Sequence, residues 1–221
     1  MITCYAFSAV PPFAQGLVRD LRVRWALEEA GLPYRVTLVG DERRPDGQPT
    51  VPRAAYRALQ PFGQIPAIED GGLTLFESGA IVHYVAERSH TLLPSDPRAR
   101  AHAIQWMFAA LNTLEMPIQQ LAAIDLFYAD ERWAKERRPG AVEAVQQRLA
   151  ELAVSLDGRD CLVESFSAAD ILMVTVLRLL RHTDLVDEQR ALVAYRERCE
   201  ARPAFAKALA DQMAAFTPDE R

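Results

Sequence analysis

Along the chain, the hydrophobic positions change their period once, near residue 90. Before it, short apolar runs alternate with helical spacings; after it only helical spacing occurs. Ile2–Phe7 is a short apolar run bounded by Ser8-Ala-Val-Pro-Pro12, which predicts a buried strand ending in a turn. In Leu21–Ala30, Leu21, Trp25 and Leu27 alternate with charge at helical spacing, and Gly31 and then Pro33 end the helix in the expected order. Arg35–Val39 reads as a second strand, Asp41–Pro52 as a polar loop and Arg53–Leu59 as a short helix. Pro66–Asp70 and Leu73–Phe76 flank Gly71-Gly72, the pattern of a β-hairpin. A helix then starts near Ser78 and runs to about Arg88. The order β-α-β-α-β-β-α demands a parallel crossover followed by an antiparallel hairpin.

Thr91-Leu-Leu-Pro-Ser-Asp-Pro97 has the composition of a connector. Beyond it, helices are expected over 98–128, 140–156, 168–182, 188–201 and 203–216, with Pro and Gly between several of them. The expected division is a mixed α/β domain over 1–88, a linker over 89–97 and an all-helical domain over 98–221.

Composition narrows the classes. Half of the 221 residues are hydrophobic and a quarter charged, as in globular proteins with a sizeable core. The net charge is −5, with 9 basic and 10 acidic residues over 1–90 and 16 and 20 after it, so neither half offers a basic nucleic-acid surface. The longest apolar run, Ile171–Leu180, is interrupted by Thr175 and Arg178 and is too short for a membrane helix. The first residues lack a secretion signal, and a cytoplasmic location is expected. Cys4, Cys161 and Cys199 stand far apart, and His83, His90, His102 and His182 show no ligand spacing, so no metal is expected. Glycine-rich phosphate loops and the nucleophile elbow of hydrolases are absent from the sequence.

The chemistry concentrates in residues 59–81. Pro66 begins a strand. Its peptide bond with Ile65 is either an ordinary trans bond or a cis bond that turns the Ile65 N–H and C=O outward, to pair with an extended ligand. Ser78 stands where a helix N-cap belongs, just before Ala80-Ile-Val82. Either it caps and does nothing else, or its hydroxyl and the helix N–H groups hold a carboxylate while Glu77 pairs with an ammonium. A carboxylate and an ammonium on one carbon form the free end of a small peptide.

These stretches resemble the glutathione S-transferase family over almost the whole chain. Arg22-Val-Arg-Trp-Ala-Leu-Glu-Glu-Ala-Gly-Leu-Pro-Tyr34 is similar to its first helix and exit. Pro61-Phe-Gly-Gln-Ile-Pro-Ala-Ile-Glu-Asp-Gly71 and Leu75-Phe-Glu-Ser-Gly-Ala-Ile81 are similar to its glutathione-binding core, and Leu92-Leu-Pro-Ser-Asp-Pro-Arg-Ala-Arg-Ala101 to its linker. Phe166-Ser-Ala-Ala-Asp-Ile171 resembles the capping box of a central helix, and Arg202-Pro-Ala-Phe205 its last helix. The resemblance implies an α/β thioredoxin-like N-terminal domain, an all-α C-terminal domain, a homodimer and a cis Pro66. It implies that Ile65 bonds the cysteinyl backbone of glutathione, that Glu77 and Ser78 hold the γ-glutamyl end and that Gln64 assists. The glycyl carboxylate needs a cation, for which Arg53, or else Arg57, is placed in sequence. Ser167 and Asp170 belong to folding.

A transferase must also ionise the glutathione thiol. With a thiol pKa of about 8.5, roughly 3% is thiolate at pH 7. Lowering it by about two units needs ~2.7 kcal/mol of preferential stabilisation. The family uses a Tyr, Ser or Cys between the first strand and helix. Here that stretch is longer than the family pattern, and the corresponding position, two residues before Arg22, is Asp20, whose charge would oppose the thiolate. Ser8 is the hydroxyl of the stretch and is the expected catalytic donor; Tyr5, Arg19 and backbone N–H groups over Phe13–Gly16 are the alternatives. The expected function is attack of the glutathione thiolate, glutathione being co-substrate, on a hydrophobic electrophile walled by aromatic residues of the helical domain. The alternative is a glutathione-binding or protein-interaction module without turnover. A thiol–disulfide reductase would have to rest on Cys4.

Overall fold

The computed structural model describes residues 1–41 and 49–216; most of the loop expected over Asp41–Pro52 lies outside them. The described chain forms two compact units. The first comprises Met1–Leu92 and the described residues from Arg202 on, the second Leu93–Ala201.

The first unit is built on a four-stranded sheet of order β2-β1-β3-β4. Strand β1 (Ile2–Phe7) pairs in parallel with β2 (Tyr34–Val39) and antiparallel with β3 (Ala67–Asp70), which turns back into β4 (Leu73–Phe76). The register sets Tyr5 opposite Thr37 on one side and Ala67 on the other. Alternation along β1 sends Tyr5 and Phe7 to one face and Cys4 and Ala6 to the other. On the Tyr5 face, Val39, Tyr56, Ile65 and Ala67 close a core cluster, with Phe7, Val18, Leu59 and Phe76 packed around it. Helix α1 (Asp20–Ala30) joins β1 to β2, α2 (Arg53–Tyr56) precedes the hairpin and α3 (Ser78–Glu87) follows it. Gly31 ends α1 at φ 63°, a conformation in which a Cβ would be strained. The parallel crossover and the hairpin are those the sequence predicts.

The last helix, α9 (Pro203–Ala214), does not join the helical domain in which the sequence division at residue 98 puts it. It packs on α1. Phe205 meets the Trp25 ring edge-on at 4.8 Å, and Arg202 gives two hydrogen bonds to Glu29, at 2.6 and 2.7 Å. Gln212 donates to the Val18 carbonyl and to Asp20. The reason is burial. Trp25 and its neighbours on α1 are apolar on the face turned from the sheet as well, and that face needs a cover.

The second unit is helical: α4 (Pro97–Phe108), α5 (Glu115–Phe127), α6 (Arg132–Ser155), α7 (Ala168–Leu177) and α8 (Arg190–Glu200). Helix α7 is buried along its whole length and is the axis of the unit. Two expectations are corrected. The helix predicted over 98–128 is divided by a π-helical turn, Ala109–Leu114. The helix predicted from residue 140 begins eight residues earlier, because Pro139 lies inside it. Pro139 forfeits one ladder hydrogen bond. The turns before it hold because Ala134 is buried and Arg138 makes a two-bond fork, at 2.7 and 3.1 Å, with Asp125 of α5. Among the described residues no helix is long and apolar enough to cross a membrane.

Candidate glutathione site

The hairpin and the start of α3 bring together most of the residues singled out in the sequence. Ile65–Pro66 is a cis peptide. Ile65 is buried in the core cluster, yet neither its amide nor its carbonyl enters any of the loop or turn hydrogen bonds of the described residues. The preceding loop is fixed from below: the Tyr56 hydroxyl donates to the Gln64 carbonyl at 2.9 Å, and the Arg57 guanidinium donates to the Pro61 carbonyl at 3.1 Å. Gln64 itself is exposed. Arg57 is thereby committed to the loop. Arg53 stands instead over the Phe7 ring, 4.7 Å from its centre, at the end of β1. Its amide donates to Asp41 at 2.8 Å, and its exposed guanidinium lies 3.8 Å from the same carboxylate.

Helix α3 begins one residue earlier than the sequence suggests. Its N-cap is Glu77, and Ser78 is already the first helical residue. Glu77 has φ 68° and ψ 114°, an unusual backbone for a residue with a side chain, costing on the order of 1–3 kcal/mol. No side chain caps the helix, and its first-turn amides, those of Ser78, Gly79 and Ala80, lie outside the helical ladder. A helix start of this kind is an electropositive set of donors open to an anion. Glu77 is exposed beside it, while Ser78 is 5% exposed.

Ser78 has a partner that the sequence reading missed. Arg22 of α1, 2% exposed, donates through Nη1 to the Ser78 Oγ at 3.1 Å. The signal was present in Arg22-Val-Arg24. Two arginines two apart on a helix with apolar residues on all sides cannot both reach solvent. Both are buried, Arg22 toward α3 and Arg24 on Asp20 at 2.7 Å.

The Asp20 expectation is also corrected. Asp20 is turned inward: it is 1% exposed and takes hydrogen bonds from Arg24 and from Gln212, the latter at 2.6 Å. Burial pushes its carboxyl above the usual range, opposed by those two donors. The other candidate thiol activators stand as follows. Ser8 is buried, its amide bonded to the Val39 carbonyl at 3.0 Å, and a Cβ on Gly40 would stand 2.1 Å from its Oγ. Its hydroxyl therefore occupies the space that makes position 40 a glycine. The Tyr5 hydroxyl donates to Glu69 at 2.5 Å, and burial pushes it up to about 12. Cys4 is fully buried on the opposite face, and burial pushes its thiol up to about 12. Sealed from solvent on the face away from the cluster around Tyr5, it offers a reductase no accessible thiol. No group of three His, Cys, Asp or Glu side chains able to hold a metal occurs among the described residues.

In the second unit, Ser167 and Asp170 form the expected capping box. Asp170 accepts from the Ser167 amide at 2.8 Å, the Leu162 amide at 2.9 Å and the Tyr195 hydroxyl at 2.8 Å.

Comparison with known proteins identifies the family. The N-terminal domain of glutathione S-transferases matches residues 21–88, and the C-terminal domain matches residues 110–203. The chain is 32% identical to the disulfide-bond oxidoreductase YfcG of Escherichia coli, over 83% of this chain and 86% of that protein. It is 32% identical to glutathione S-transferase F14 of Arabidopsis thaliana over 67% of this chain, and spans only 64% of that relative's length. A crystal structure of a Pseudomonas putida glutathione transferase, with one glutathione disulfide bound per subunit, superposes with a TM-score of 0.78 at 29% identity, covering 94% of this chain and 90% of that one. A four-stranded thioredoxin-like unit combined with a helical unit is the architecture these matches share. The chain belongs to the glutathione S-transferase family.

Proposed function

We propose that the protein binds glutathione on the hairpin and at the start of α3, and transfers it to a hydrophobic electrophile. The γ-glutamyl carboxylate lies on the Ser78 hydroxyl and the first amides of α3, and the γ-glutamyl ammonium on Glu77. The cysteinyl backbone pairs with the free N–H and C=O of Ile65, beside Pro66. Arg53 takes the glycyl carboxylate, and Gln64 flanks the peptide. The observation that carries the reading is the α3 start, where a strained Glu77 and an uncapped row of amides adjoin a serine held by a buried arginine. Ser8 is the proposed donor to the thiol. Ser8→Ala should lower kcat/KM about 100-fold with glutathione affinity unchanged. A change below about threefold would leave Ser8 only its packing on Gly40. The protein is further proposed to act as a homodimer in the cytoplasm.

A second reading draws on the name of the Escherichia coli relative and on the glutathione disulfide in the Pseudomonas structure. The same thiolate attacks one sulfur of a disulfide substrate, and the displaced thiolate leaves and takes up a proton. A second glutathione then resolves the mixed disulfide, giving glutathione disulfide and a second thiol. No protein cysteine is needed. Calorimetry with glutathione, followed by turnover assays with an aryl halide and with a small dialkyl disulfide, separates the cases. Binding with aryl halide turnover supports transfer, and binding with disulfide turnover alone supports the second reading. Binding without turnover on a broad panel of both leaves a binding module. Absence of binding at millimolar glutathione would falsify the site.

A further inference from the structure

Resting on that reading of the α3 start, we propose that Arg22 is a positioning residue that makes Ser78 a committed hydrogen-bond donor and thereby selects for a carboxylate on the ligand. A serine hydroxyl has one hydrogen and two acceptor lone pairs, and its rotor is free to offer either. Here one lone pair is taken from inside by Arg22 Nη1 at 3.1 Å. An arginine has no acceptor and stays charged, so the hydroxyl cannot reverse this bond by donating back. Its hydrogen is turned away from Arg22. At the first position of α3 it joins the amides of the uncapped first turn, where no side chain competes for it.

Both partners are buried, so the arrangement is not set by solvent. Arg22 lies on α1 and Ser78 on α3, and the two helices pack directly on each other. The guanidinium adds a fixed positive charge behind the positive end of the α3 dipole. A charged donor feeding a neutral hydroxyl strengthens what that hydroxyl gives onward. The ligand group facing Ser78 must then be acceptor-only and anionic. An amide or hydroxyl in that place would forgo the charge and gain only an ordinary hydrogen bond. Glu77, exposed on the rim, holds a neighbouring cation without neutralising the donor set from inside.

The test compares two ligands by calorimetry: glutathione, and 4-aminobutyryl-cysteinyl-glycine, which lacks only the γ-glutamyl carboxylate. The wild-type protein should prefer glutathione by at least tenfold. Arg22→Met should weaken glutathione binding about tenfold and the analogue less than twofold, with kcat at saturating glutathione within twofold of wild type. If the Met variant does not fold, Arg22→Lys carries the same comparison; its shorter reach should weaken glutathione binding about threefold more than binding of the analogue. Equal losses for the two ligands would mean that Arg22 serves packing alone. Unchanged binding of both would also overturn its role while leaving the glutathione site intact. A wild-type protein that binds neither ligand overturns the site reading, and this inference with it.

Discussion

At the start of α7, Ser167 extends at φ −145° and exchanges hydrogen bonds with Asp170, whose second oxygen takes the Leu162 amide and the Tyr195 hydroxyl. At the start of α3, Glu77 is forced to φ 68°, no side chain caps the helix, and Ser78 is held from behind by an arginine. Both helices open on a serine next to a buried ionisable partner. In one, a carboxylate is the hub, taking the Ser167 and Leu162 amides and the Tyr195 hydroxyl. In the other, the buried partner is a cation and no side chain caps the first amides. Exchanging the sign of the buried charge converts a closed helix start into an open one. The closed start adds stability; on the function proposed above, the open one forgoes it for a ligand.

The comparison can be broken in four places. The largest effect should come from Asp170→Ala, which strands the amides of Leu162 and Ser167 and the Tyr195 hydroxyl. A loss of about 4 kcal/mol or more in urea unfolding is expected. A loss below about 1 kcal/mol would mean that the hub is not structural. Ser78→Ala should weaken glutathione binding by about 1–3 kcal/mol in calorimetry and, by taking an acceptor from the buried Arg22, lower stability by only about 1 kcal/mol. A stability loss with intact affinity would make the two helix starts alike. Glu77→Gly relieves the positive φ and should raise stability by about 1 kcal/mol, yet lower glutathione affinity roughly tenfold. Stability and binding changing in the same direction would contradict a start held open for a ligand. The smallest effect, about 1 kcal/mol of stability with no change in glutathione affinity, is expected for Ser167→Ala, measured by the same two methods.

How legible each helix start was in the sequence follows from the range of its contacts. Ser167 and Asp170 stand three apart, so their mutual bonds could be read along the chain; Leu162 and Tyr195, which complete the hub, could not. Glu77 and Ser78 were singled out as a pair, but the N-cap position falls on Glu77 rather than Ser78. Nothing in the one-dimensional pattern announces a positive φ on a glutamate. Arg22 lies 56 positions from Ser78, and only the packing of α1 on α3 joins them. The strands and the hairpin were readable because alternation and Gly71-Gly72 act locally. Pro139 misled because a proline signal is local too, whereas the Arg138–Asp125 fork that carries the helix past it is not. Asp20 was drawn toward the ligand by its place in the motif, when its i,i+4 spacing to Arg24 already offered an inward partner.

The allegiance of α9 has a consequence for synthesis. Residues 93–201 are, in topology, an insertion into a domain whose final helix is translated after them. While the ribosome is still decoding the insertion, Trp25 lacks its Phe205 cover, and Asp20 has Arg24 but not Gln212. Helix α1 must therefore wait, its outer apolar face bare, until α9 emerges. A stop codon just before residue 202 should consequently damage the segment made first, far upstream around α1, more than the helices made last.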